Sequence, residues 1–184
     1  MERFMLGKHV ALHLIRGGLL ALACVSAGAS AFLGDVEPDW TEDELVLPPA
    51  PQASRLIPFE VGGSSPNRHF IDEASLSVGA DRVVRYVLVV RTPGGAENVT
   101  FEGIRCTTGE RRIYAGGRSD GSWTRMKNSA WQPISHNGYN RARAALAVDF
   151  FCDGPVPPRD REHALDRLRG AGDHHHDPSR GVLP

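Results

Sequence analysis

The chain has 184 residues, a net charge of −1, 41% hydrophobic and 23% charged residues, and three cysteines. That is enough for one folded domain, too balanced in charge for a nucleic-acid binder, and too poor in cysteine for a disulfide-built miniprotein. The charge is unevenly spread: residues 32–54 carry six acids and no Lys or Arg, whereas residues 55–152 have a net charge of +4.

Residues 1–31 read as a secretory signal. Arg3, Lys8 and Arg16 form a basic start, the uncharged run Gly17 to Ala31 follows, and Ala29 and Ala31 supply the small residues of a cleavage site. The mature chain then begins at Phe32 in the periplasm. The apolar run is shorter than the ~20 residues that span a bilayer. A competing reading cuts before Cys24, after Ala21-Leu22-Ala23, and acylates that cysteine; membrane association follows only in that case. With cleavage at Ala31, Cys106 and Cys152 remain, and an oxidising compartment favours joining them as a disulfide.

Residues 32–55 form an acidic, Pro-rich lead-in. The acids are expected to keep it solvated and disordered; the sharper alternative lays it across a basic face of its own domain. Trp40 is the residue there expected to dock or to mark a contact point. The domain proper is assigned to residues 56–152. Leu56 to Val61 contains Pro58 and can be only an edge strand. Phe70 to Val78 alternates and reads as a strand, and Val83 to Arg91 is the strongest strand of the chain. Ala96 to Cys106 returns after the Thr92-Pro93-Gly94-Gly95 turn, and Glu110 to Ala115 makes a fourth strand. A four-residue turn puts Arg91 opposite Ala96, Arg85 opposite Glu102 and Tyr86 opposite Phe101. Trp131-Gln132-Pro133-Ile134 is extended because of its Pro.

The period then changes to helical over Asn140 to Cys152, with Tyr139, Ala142, Leu146 and Phe150 on one face and Asn137 or Asn140 at its start. Residues 153–184 are expected to be a disordered charged tail with His. The fold class is therefore mainly β within α+β: an antiparallel meander, with a sandwich-like curl as the alternative, packed against one C-terminal helix.

The chain resembles the cryptic neisserial protein-like family of proteobacterial envelope proteins over residues 39–152. The resemblance rests on Asp39-Trp40, Leu56-Ile57-Pro58-Phe59, Asn67-Arg68-His69-Phe70-Ile71-Asp72, Ser75-Leu76-Ser77-Val78-Gly79, and Val83-Val84-Arg85-Tyr86. It continues through Gly95-Ala96-Glu97-Asn98-Val99, Phe101-Glu102-Gly103-Ile104-Arg105-Cys106, Ile113-Tyr114-Ala115, Trp123, Trp131, Asn140-Arg141 and Phe151-Cys152. It implies export to the periplasm or a lipid anchor, and brings no activity or catalytic residue with it.

Three groups of residues are candidates for chemistry. His174, His175 and His176 are weak metal ligands, because consecutive imidazoles cannot all face one ion from a regular element. His69, His136 and His163 are scattered, with neither a Gly-x-Ser-x-Gly nor a His-Glu-x-x-His motif, so a hydrolase would need dispersed residues. Arg111, Arg112 and Arg118 with Tyr114 and Trp123 mix cations and aromatics and are the candidate ligand face; the plainer reading is a solvated sheet face. The expected function is a non-enzymatic binding or structural accessory protein of the envelope, with an unidentified partner and no cofactor. The alternatives are a small periplasmic hydrolase and an anion or envelope-glycan binder using the Arg/Trp face.

Overall fold

The computed structural model describes residues 40–63, 65–135 and 137–170. The signal segment, Cys24, His136 and His174 to His176 lie outside the described residues.

The most apolar stretch, Val83 to Arg91, is the central strand β4. The other strands, in chain order, are β1 (Leu56–Phe59), β2 (Arg68–Asp72), β3 (Ser77–Val78), β5 (Glu97–Arg105), β6 (Glu110–Gly117), β7 (Trp123–Arg125) and β8 (Gln132–Pro133). They form one sheet in the order β1-β2-β4-β5-β6-β7, with every pair antiparallel; β3 adds to β4 and β8 to β6. The expected meander is therefore present. Pro58 lies in β1, the edge strand, where a missing N–H costs no ladder bond.

The strand expected over Phe70 to Val78 is interrupted. A 3₁₀ turn at Glu73–Ser75 separates β2 from β3. The gap in the ladder is closed by Ser75, whose hydroxyl accepts the Val87 N–H at 2.8 Å and donates to the Asp72 carbonyl at 2.7 Å.

The β4–β5 register also differs from expectation by one residue. Tyr86 faces Glu102, Val87 faces Phe101 and Arg91 faces Glu97. The loop holds five residues, closed by the Thr92 N–H on the Ala96 carbonyl at 2.9 Å and the Ala96 N–H on the Thr92 hydroxyl at 3.1 Å. The physical reason is that β4 is buried on both faces, Val83 through Val89 all being buried. Hydrophobic alternation selects a register only where one face meets water.

The two faces have different covers. Val84, Tyr86 and Leu88 join Ile71, Leu76 and Ile104 in a core completed by Leu146, Phe150, Phe151, Leu165 and Leu168 of the helical segments. Val87 and Val89 join Phe70, Phe101, Tyr114 and Ala115, and are covered by Leu45 and Leu47 of the lead-in.

Helix α1 (Arg141–Ala145) begins after Asn137, whose side-chain oxygen accepts the Asn140 N–H at 3.0 Å. It runs into a π-helical turn, Leu146–Phe151, whose end is marked by the Cys152 N–H bonding five residues back to Ala147 at 2.9 Å. Ala142, Leu146 and Phe150 are buried as expected, but Tyr139 is 65% exposed. Cys106, just past β5, and Cys152, just past the π turn, are joined as a disulfide with their Cα atoms 5.5 Å apart.

Up to Gly170 the segment after Cys152 corrects the expected tail, whose residues 171–184 lie outside the described residues. Residues Arg161–Gly170 form a second helix, α2, which buries Ala164, Leu165 and Leu168 in the main core. Its three apolar residues are too few to hold a free helix; burial against the π turn and β3 stabilises it instead.

Candidate functional site

The lead-in from Trp40 onward is not a solvated leader. It docks on the sheet face lined by Phe101 and Tyr114, and its acids meet the Arg residues there. Glu42 is the centre of this contact. One carboxylate oxygen accepts the Tyr114 hydroxyl at 2.6 Å and a weak bond from Arg85 at 3.5 Å. The other accepts Arg112 at 2.5 Å and the Trp131 indole N–H at 3.2 Å. Four side chains from β4, β6 and the segment before β8 thus converge on one carboxylate, a charge-assisted cup.

A second carboxylate fixes the arm beside it. Asp81 pairs with Arg85 through both oxygens and accepts the Val83 N–H at 3.1 Å. It also accepts the Asp43 N–H at 2.9 Å, while its own N–H reaches the Asp43 carboxylate at 3.3 Å. Trp40 donates its indole N–H to the Asp81 carbonyl at 2.9 Å and lies under the Arg105 guanidinium at 3.8 Å. A side chain at position 79 would have to displace the tips of this cluster. A Cβ there would stand 2.3 Å from Asp81 Oδ1, 2.7 Å from Asp43 Oδ2 and 2.8 Å from Arg85 Nη1.

These contacts yield two expected results. Glu42→Ala removes the acceptor that Arg112, Tyr114 and Trp131 share, while Arg85 keeps Asp81. A loss of ~2 kcal/mol is expected, less than for a fully buried pair because Arg112 is partly hydrated. Urea unfolding measures it, and faster proteolysis within residues 41–51 should accompany it. The second result concerns acid. Burial raises the Asp81 carboxyl, but the bonds from Arg85, Asp43 and Val83 outweigh it and hold the group below its ordinary value of 3.8. A carboxyl depressed by folding contributes its full stability above the unfolded value and loses it as pH falls through the folded value. Stability should therefore drop below pH 3.8, and the drop should be shallower in Asp81→Asn. Asp72 acts in the opposite sense, because burial raises its carboxyl. Comparing the two proteins' denaturation midpoints against pH isolates Asp81.

The opposite face of the sheet holds a fully buried ion pair. Glu102 is 0% exposed. Its two oxygens accept Arg143 Nε at 2.8 Å and Arg143 Nη2 at 2.5 Å, and Thr100 donates to the same carboxylate at 2.5 Å. Arg143 also donates to the Tyr139 carbonyl at 2.9 Å. Burial opposes the charged Arg143, but Glu102 prevails and raises its pKa. Burial, and then the Glu102 charge, push the Tyr86 hydroxyl well above its ordinary value, so it stays neutral.

The candidate ligand face does not hold together as one platform. Arg111 and Arg112 project from opposite sides of β6: Arg111 is buried beside Tyr139, 5.6 Å from its ring, whereas Arg112 and Tyr114 belong to the cup that Glu42 fills. Trp123 donates its indole N–H to the Pro48 carbonyl at 2.7 Å, and Arg118 Nε donates to the Thr124 hydroxyl at 2.6 Å. These last two border a groove of about 460 Å³, with Glu97, Val99, Gly117 and Ser119. A smaller cavity, about 210 Å³, lies beside Phe59 and His69. His69 is buried, and that burial lowers its pKa despite the nearby Glu60. His163 lies on α2, and its Nδ1 accepts the Arg159 N–H at 3.2 Å.

Sequence reasoning missed Glu42, Asp81, Glu102 and Arg143. The available signal was Glu102 in the middle of β5, between Phe101 and Gly103-Ile104, a charge that needs a partner when buried. Among the described residues, no group of three or more His, Cys, Asp or Glu could hold a metal, and no helix is long and apolar enough to cross a membrane.

Residues 35–169 match the CNP1-like family. The match reaches past Cys152 to the end of α2, in keeping with the burial of that helix. The chain is 28% identical over 148 residues to "Cryptic neisserial protein 1" of Neisseria gonorrhoeae, covering 71% of this chain and 72% of that protein. No solved structure matches. With the family match covering the arm, the sheet and both helices, this chain belongs to the CNP1-like family.

Proposed function

We propose that this is an exported protein of the cell envelope that works by binding a component there rather than by catalysis. The observation that carries the reading is the groove bordered by Trp123. It is the larger of the two cavities, and its aromatic side chain is already held by the Pro48 carbonyl. A site whose aromatic group is fixed in advance binds with less ordering cost. The buried carboxylates support the same reading. Glu102 and Asp81 are each closed by an arginine, and Glu42 by two, so they act as ties of the fold. Export is supported by the basic, apolar and small-residue order of residues 1–31 and by the Cys106–Cys152 bridge.

The test is photocrosslinking in intact cells from a reactive side chain placed at Ser119, beside the groove, with Asp149 on the helical side as control. An adduct with an envelope component from position 119 and none from 149 is the expected result. Equal or absent labelling at both overturns the binding reading. The mature chain should be recovered from the periplasmic fraction with a mass starting at Phe32. Recovery from the cytoplasm at full length overturns export, and an acylated start at Cys24 replaces the soluble form with an anchored one.

A further inference from the structure

The groove exists because two hairpins part. The β4–β5 ladder continues to Arg91 and Glu97, but the β5–β6 ladder stops at Thr100 and Gly116, and the β6–β7 ladder stops at Gly117 and Trp123. Beyond these pairs the tip of one hairpin carries Gly95 and Glu97, and the tip of the other carries Arg118, Ser119 and Gly121. Ala50 and Pro51 of the arm close the third side.

The floor is aromatic and held in place. Trp123 packs on Phe101 with ring centroids 6.3 Å apart, and its indole N–H is spent on Pro48. Gly117 is required beneath it: a Cβ there would come 2.9 Å from the Val99 side chain and 3.5 Å from the Trp123 ring. Trp123 remains partly exposed, although its polar atom is satisfied. What it offers a ligand is therefore a carbon surface.

The walls carry one charge of each sign. Arg118 uses its Nε on Thr124, and Glu97 uses one oxygen on Arg91. Both residues are exposed. An anion would meet Glu97, and a hydrocarbon would strip water from both charges without replacing its hydrogen bonds. A neutral ligand with one C–H face and a rim of hydroxyls satisfies all three features. Its C–H face covers the ring, one hydroxyl donates to the carboxylate and another accepts from the guanidinium. An extended peptide would seek an unpaired strand edge. On the groove side β5 offers only the three residues Glu97 to Val99 beyond its last pair with β6, a short edge for such a peptide. The volume of about 460 Å³ is within the range of small-ligand sites.

We propose that the groove between the two hairpin tips binds a short stretch of a neutral saccharide chain, stacked on Trp123 and hydrogen-bonded by Arg118 and Glu97. The proposal rests on the binding reading above and specifies its ligand class. The experiment is an NMR titration of the isotope-labelled mature domain with chitotetraose and cellotetraose, and with a neutral tetrapeptide in parallel. The expected result is saturable movement of the Trp123 indole N–H and the Gly117 and Gly121 amides by at least one saccharide. The Trp40 and Trp131 indoles should stay in place. Arg118→Ala, an exposed change, should weaken binding about fivefold or more. Movement by neither saccharide overturns the proposal, as does affinity unchanged by Arg118→Ala. Response to the tetrapeptide alone also overturns it. If adducts still form at position 119 in cells, the saccharide assignment fails while the binding reading stands.

Discussion

Arg143→Ala is expected to cost roughly 3–5 kcal/mol, the range for leaving one member of a buried ion pair without its partner. The bereft group is Glu102, which is 0% exposed and sits between the sheet and α1. Thr100 donates to it and Tyr86 does so weakly at 3.5 Å, but two neutral hydroxyls do not balance a full charge. Glu102→Ala should cost a similar amount for the reciprocal reason, since the Arg143 side chain is only 7% exposed. The double replacement Glu102→Leu with Arg143→Met should recover most of that loss. The attraction within such a pair is largely offset by the desolvation of its members, and apolar residues of similar size avoid both. Thermal unfolding of the four proteins measures the effect, and the single variants should melt about 10–20 °C lower. A double variant as unstable as either single one would show that the pair contributes something an apolar contact cannot.

Breaking the Cys106–Cys152 bridge should cost about 4 kcal/mol. The closed loop spans 46 residues, and the chain-entropy account of that span sets the magnitude. The bridge has a structural reason to matter. The α1 and π segments bury Ala142, Ala144, Ala145 and Ala147, small side chains that contribute little apolar area apiece. Cys152 also supports α2, because its carbonyl accepts Arg167 Nη2 at 3.3 Å. Cys106→Ser and Cys152→Ser should therefore destabilise similarly, and the double variant by little more than either. Urea unfolding with and without reductant tests this: wild type under reductant should fall to the level of the variants. Against a typical total of ~5–15 kcal/mol, the loss is a large share. Protein that retains two titratable thiols while folded and equally stable would overturn the expectation.

Part of the site was legible in residue types and part was not. Trp40 among acids signalled a docking residue, and it does dock, on Asp81 and Arg105. The acids around it favour solvation when read alone, because an unpaired carboxylate belongs in water. Their partners Arg85, Arg112 and Tyr114 lie 43 to 72 residues away, and a local reading cannot bring them together. The Arg and aromatic residues near β6 looked like one face because they are close in sequence. Strand alternation sends Arg111 and Arg112 to opposite sides, and the β-bulge between Phe101 and Glu102 shifts the pairing beyond them.

The sequence by itself determined the antiparallel meander, its central strand, the helical period before Cys152 and the pair of cysteines that closes on it. Each follows from local periodicity, turn residues or cysteine arithmetic, none of which needs a distant partner. Tertiary structure decided the hairpin register, the docking of the arm, the packing of α2 and the burial of Glu102 against Arg143. In each case the deciding term is between segments far apart in the chain. Both faces of β4 are apolar, so its neighbours rather than its pattern choose the register. The arm and α2 are polar or short when taken alone, and they become ordered only where a formed sheet offers them guanidinium groups and apolar surface.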